Sequence, residues 1–248
     1  MHFLRKNYKN LRNYYSLLKK NSILRYRWKN KLVKPSVIEM NQKTGLDRCD
    51  IHFINLKHRK DRLTAICAEF EKLSITNFKR FDAIHNKNGA LGCAKSHAKC
   101  LELAYVAQEQ LLMICEDDCK FIIKRAEIDL IIEEFFYNPY LDVLCLSYNT
   151  KTRVSVSNNL MITSDTQTAS CYLVKSNAIH ILLKSACKSV RHLSWWGNKS
   201  WDGNHKFAID QTWKDIQKKI FFCLPSIRAA KQRGSFSDIE NIYVDYGL

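Results

Sequence analysis

Glycine and proline are scarce, at 7 and 3 in 248 residues, which excludes collagen-like repeats and Pro/Gly-rich linkers. Acid is missing altogether from residues 1–35, a stretch that carries eleven Lys and Arg. No long uncharged apolar run occurs, so a transmembrane helix is not expected. A leader with an apolar centre is also lacking, and a cytoplasmic setting, with peripheral attachment to a membrane left open, is the expectation.

Cysteine, in contrast, is plentiful, ten in all. In a small secreted domain that number would read as a disulfide framework, but this chain is large and reduced thiols are expected. Cys115, Cys145 and Cys223 lie in apolar runs, where cysteine acts as a small hydrophobe. With 46% apolar and 11% aromatic residues, the chain can bury a core in one large domain or two small ones. The net charge is +16, and taking away the eleven tail cations leaves +5 for the other 213 residues, so the basicity belongs to the tail.

Residues 1–48 read as a basic extension. Phe3, Leu4, Tyr8, Leu11, Tyr14, Tyr15 and Leu18 are spaced for an amphipathic helix with a basic face. Residues 1–35 could lie on an anionic membrane surface, contact nucleic acid (the less favoured reading) or pack on the domain that follows. From Cys49 the pattern changes. Ile51 to Leu56 alternates like a strand, and apolar residues at 63, 66, 70 and 73 predict a helix over 61–73. Strands are expected over 78–84, 142–148 and 169–175, with a final strand over 220–224 before Pro225. Helices are expected over 92–106, 128–136, 177–186 and 210–219. The polar stretch 149–168 reads as a loop or short hairpin, and 192–207 as an aromatic loop. Alternating strands and helices argue for an α/β fold with a mostly parallel central sheet over 49–248.

The focus is Leu111-Leu112-Met113-Ile114-Cys115, an apolar strand that runs into Glu116-Asp117-Asp118. Strand alternation would put Glu116 and Asp118 on one face and Asp117 on the other. Two such carboxylates can hold a hard divalent cation, Mg²⁺ or Mn²⁺. A solvated acidic turn is the other reading. Cys93 with His97 and Cys115 with Cys119 invite a zinc reading, but neither spacing matches an ordinary structural site. The sequon Asn198-Lys199-Ser200 matters only in a secretory lumen.

Several motifs in order carry a family resemblance, over roughly residues 51–239. They are Ile54-Asn55-Leu56 with Arg59 and Asp61-Arg62, then Phe81-Asp82-Ala83, Gly92-Cys93-Ala94-Lys95-Ser96-His97 and Glu116-Asp117-Asp118. Tyr172-Leu173-Val174, Ala178, Asp210, Pro225 and Ser237-Asp238-Ile239 follow. This set resembles glycosyltransferase family 25, the group of lipooligosaccharide and collagen galactosyltransferases. Cys119 departs from it, standing where the family usually has an aliphatic residue, and the loop 192–205 has no recognised counterpart.

The resemblance implies a GT-A type fold, a nucleotide-sugar donor, a divalent metal (Mn²⁺ or Mg²⁺) and inversion at the anomeric carbon, and the expected function is transfer of galactose or glucose from a UDP-sugar to a glycan or glycosylated acceptor. Asp118 would hold the metal with help from Glu116. Asn55, Leu56, Arg59, Arg62, Ser96, His97, Glu116 and Asp117 would serve the donor. Arg59 and Arg62 read equally as solvated helix charges, and His97 as a structural histidine. Asp210 is the first candidate base and Asp202 the second, although Asp210 could simply cap a helix. Trp195, Trp196 and Trp201 could stack on an acceptor sugar or pack as loop core. A non-catalytic module, attached to nucleic acid or anionic membrane through the basic tail, is the reading from another class.

Overall fold

The computed structural model describes residues 19–26, 43–196, 205–237 and 242–244. At its centre is an eight-stranded sheet in the order β2-β1-β3-β10-β5-β11-β8-β7. Its strands are β1 (Asp50–Asn55), β2 (Phe78–Asp82), β3 (Leu111–Glu116), β5 (Val143–Cys145), β7 (Val154–Ser155), β8 (Leu160–Thr163), β10 (Cys171–Lys175) and β11 (Phe222–Pro225). β2, β1 and β3 pair in parallel, as do β5 and β11, while β10 and β8 run against their neighbours. The strands of one direction therefore outnumber those of the other. The expected α/β architecture, a mostly parallel central sheet flanked by helices, is what the chain adopts.

Helices cover both faces. α2 (Lys60–Lys72) and α4 (Arg125–Tyr137) flank one face, and α3 (Gly89–Val106) and α5 (Ser176–Trp196) the other. α1 is the helical segment over 19–26. The apolar spacing read in 61–73 buries Ile66 and Phe70, which join Phe53, Ile128, Ile132 and Phe135 in the first core. The second core holds Ala94, Leu101, Tyr172, Ile179, Leu182 and Trp213. Leu24 of α1 is buried with the first core, and Lys20 pairs with Asp165 at 3.6 Å. The rest of residues 1–42, on which most of the amphipathic-helix expectation falls, lies outside the described residues. No described helix is long and apolar enough to cross a membrane.

Phe53 lies edge-on to Phe70 and Phe78, with ring centroids 5.5 and 5.7 Å away. Phe53→Ala is expected to cost about 3–5 kcal/mol, the range for emptying a buried aromatic site. Urea unfolding of wild type and variant measures it.

Four expectations need correction. The segment 149–168 is not merely a loop or hairpin over the site: β7 and β8 extend the central sheet, while β6 (Asn149–Thr150) pairs with β9 (Thr166–Gln167). α5 does not stop at 186 but continues to Trp196, absorbing the first turns of the expected aromatic loop. The helix expected over 210–219 is a short α6 (Ile209–Thr212) followed by a 3-10 stretch, Trp213–Lys218. Pro225 ends β11, but that strand is not the last. β12 (Ala230–Gln232) pairs with β4 (Cys119–Phe121), and β13 (Ser235–Ser237) with β14 (Ile242–Val244).

Candidate active site

The carboxyl ends of β1, β3 and β5 point the same way, the edge at which open α/β sheets take ligands. Glu116 is the last residue of β3, and Asp117 and Asp118 form the tight turn into β4. The strand alternation stops there. Asp117 and Asp118 are therefore not split between faces but meet at one cation. Arg62 Nη1 donates to Asp117 Oδ1 at 3.0 Å and to Asp118 Oδ2 at 3.4 Å. Asn55, at the end of β1, donates to Asp117 Oδ2 at 2.7 Å and to the Arg59 carbonyl at 3.1 Å. Gln232 donates to Asp118 Oδ2 at 3.0 Å. Asp118 Oδ1 is buried without a hydrogen-bond partner.

Burial pushes the Asp118 carboxyl up to about 7, the Glu116 charge adds to this, and Arg62 works against it. Asp117 is also raised by burial, against the pull of Arg62 and Asn55. Glu116 behaves differently. Burial opposes its ionisation, but the His97 hydrogen bond and charge overcome that and hold its carboxyl below the ordinary range. His97 Nε2 lies 3.0 Å from Glu116 Oε1, and Cys93 Sγ donates to the same oxygen at 3.5 Å. On its other side, His97 Nδ1 lies 3.1 Å from the Tyr172 hydroxyl.

α3 is brought to this place by local chemistry. Asn88 caps it, accepting from Leu91 N. Ser96 is fully buried, donating to the Gly92 carbonyl and accepting from Ile84 N, each at 2.8 Å. Its hydroxyl thus ties the loop after β2 to the helix. A Cβ on Gly92 would come within 2.6 Å of the Ile84 carbonyl oxygen. Gly92→Ala therefore has to push backbone aside, at an expected cost of about 1–3 kcal/mol, measurable by thermal unfolding.

Asp210 sits in the first turn of α6. Its Oδ2 accepts from Thr168 N at 3.0 Å, and burial raises its carboxyl, with the Glu116 charge adding. Asp210 thus feels the charge of Glu116. Thr168 itself has φ of 85°, a left-handed conformation that is strained for a β-branched residue.

Asn55, Arg62, Glu116, Asp117, Asp118 and His97 thus gather at one edge of the sheet. Leu56 and Arg59 follow directly on β1, and Arg59 pairs with Asp61 at 2.9 Å. Trp195 lies on the last turn of α5 and is 88% exposed. The Trp196 side chain, and all of Trp201 and Asp202, lie outside the described residues, as do Asp238 and Ile239. Sequence reasoning did not single out Gln232. It reaches Asp118 only because β12 pairs with β4, setting Gln232 opposite Cys119, a register that no local pattern announces.

Asp118 Oδ1, buried and without a partner, is an oxygen donor of the kind a hard divalent cation takes, and an arriving cation would offset the burial that raises this carboxyl.

No family model matches the chain, and no curated protein does. Among solved structures it is similar to a glycosyltransferase involved in the glycosylation of the major capsid of PBCV-1, at 9% identity and TM-score 0.43 over 78% of this chain and 96% of that one. It is also similar to a cytidylyltransferase from Leptospira borgpetersenii serovar Hardjo-bovis, at 12% identity and TM-score 0.40 over 73% and 77% of the two chains. A third is A197 from STIV, at 13% identity and TM-score 0.39 over 74% and 81%.

Proposed function

We propose that this chain is a metal-dependent inverting glycosyltransferase. It moves a hexose, galactose or glucose, from a UDP-sugar to a hydroxyl of a glycan or glycosylated acceptor. The observation that carries this reading is the unpartnered, buried Asp118 Oδ1 in the two-carboxylate turn that follows Glu116 at the carboxyl end of β3. Asp118, helped by Glu116, would hold Mn²⁺ or Mg²⁺, which supplies Lewis-acid neutralisation of a leaving diphosphate.

The protein's own groups divide the remaining work. Arg62 balances the acids and would serve the donor's phosphate oxygens. Asn55 fixes Asp117, and through the Arg59 carbonyl it fixes the turn after β1. Asp210, its carboxyl raised by burial, is the candidate base for the acceptor hydroxyl. Its hydrogen bond from the strained Thr168 sets its position. Trp195, on the last turn of α5, is the described member of the proposed acceptor platform.

The test is calorimetric titration of UDP, UDP-galactose and UDP-glucose with and without Mn²⁺. Binding that requires Mn²⁺ is the expected outcome. Absence of nucleotide-sugar binding under both conditions would favour a non-catalytic module instead.

A further inference from the structure

Two groups of metal-ligating side chains converge among the described residues: Cys115, Cys119 and Cys171 in the first core, and Cys93, His97 and Glu116 between α3 and β3. They differ in charge. Three thiolates around a divalent ion would leave net negative charge buried in the first core, a costly arrangement. One thiolate, one carboxylate and one neutral imidazole around the same ion sum to zero.

The second set is also spaced for one ion. Tetrahedral ligands at zinc bond lengths of ~2.0–2.3 Å put neighbouring ligand atoms about 3.3–3.6 Å apart. Glu116 Oε1 lies 3.0 Å from His97 Nε2 and 3.5 Å from Cys93 Sγ. Cys93 and His97 stand four apart on α3, one helical turn, and therefore share a face. Metal-bound histidines almost always have their second nitrogen held by a partner. Here Tyr172 OH sits 3.1 Å from Nδ1 on a ring stacked against its own. A hydroxyl both donates and accepts. It can accept from Nδ1–H once Nε2 binds an ion.

We propose that Cys93, His97 and Glu116 form a zinc-class site, distinct from the hard-cation position at Asp118, which ties α3 to the end of β3 and fixes Glu116. The sequence spacing alone pointed away from zinc, because the third ligand comes from a strand nineteen residues on. Ion binding displaces the Cys93 thiol proton, so it weakens as pH falls. The site shares Glu116 and His97 with the residues expected to serve the donor, and the Asp118 variant below tests it apart from the proposed function.

The experiment uses the full chain, stripped with a chelator and titrated with Co²⁺ as the probe. One equivalent is expected to give the strong visible bands of tetrahedral cobalt and a thiolate-to-cobalt charge-transfer band. Cys93→Ser should lose the charge-transfer band, and Tyr172→Phe should weaken Co²⁺ binding about tenfold or more while circular dichroism shows the fold intact. Asp118→Asn should leave the spectrum unchanged, which separates this site from the proposed Mn²⁺ position. A wild-type chain with no charge-transfer band overturns the proposal. So does a band that survives in Cys93→Ser, or one that vanishes in Cys119→Ser instead.

Discussion

Asp118→Asn is expected to move activity and stability in opposite directions. Turnover of a UDP-sugar with Mn²⁺ should fall at least about 100-fold, or about 2.7 kcal/mol of barrier, because the amide cannot supply the charge that holds the cation. At pH 8 and without metal, the same substitution should raise the Tm by about 3–6 °C, for a gain of about 1–2 kcal/mol. The reason is that ionised Asp118 is a charge buried beside Glu116, and Arg62 and Gln232 compensate it only in part. A carboxylate kept for structure alone would lose stability on this change. Paired steady-state kinetics and thermal melts read both effects.

The second large effect follows from pH. The folded-state carboxyl of Asp118 is raised from 3.8 to about 7. Between those values the folded chain keeps a proton that the unfolded chain has released. Its contribution to stability is therefore fully present below pH 3.8 and is lost as pH rises through about 7. Metal-free wild type should lose Tm on going from pH 6 to pH 8, and Asp118→Asn should lose less. Mn²⁺ must displace the same proton, so its apparent affinity should climb by up to about tenfold per pH unit below 7 and level off above it. Added Mn²⁺ should accordingly raise the Tm more at pH 8 than at pH 6.

The elements built from strong local patterns were legible in the sequence. β1 and β3 are runs of strand-forming apolar residues, and α2 carries its apolar residues at helical spacing, so each falls within a residue or two of its expected place. Elements defined by distant partners were not legible. β8 is a strand because it lies against β11, and β12 because it lies against β4. α5 runs on past 186 because Leu193 is buried in the second core, although His192, Trp195 and Trp196 read locally as loop.

The site was legible in composition and less so in geometry. The three acids marked the edge of the sheet, but the turn at Asp117 and Asp118 broke the alternation on which their division into faces rested. Ser96, expected at the donor, spends its hydroxyl on the backbone of Gly92 and Ile84. His97 reaches Glu116 as its place one turn after Cys93 allowed, whereas Tyr172, read only as part of a strand, proves to be the group that orients it.

The most direct measurement is Mn²⁺ binding by electron paramagnetic resonance, titrating full-length wild type and Asp118→Asn in the presence of UDP at pH 8. One Mn²⁺ per wild-type chain, lost in Asp118→Asn, is the predicted result. No bound Mn²⁺ in the wild type, or equal binding by both proteins, would contradict the assignment of the acidic turn as the metal site of a glycosyltransferase.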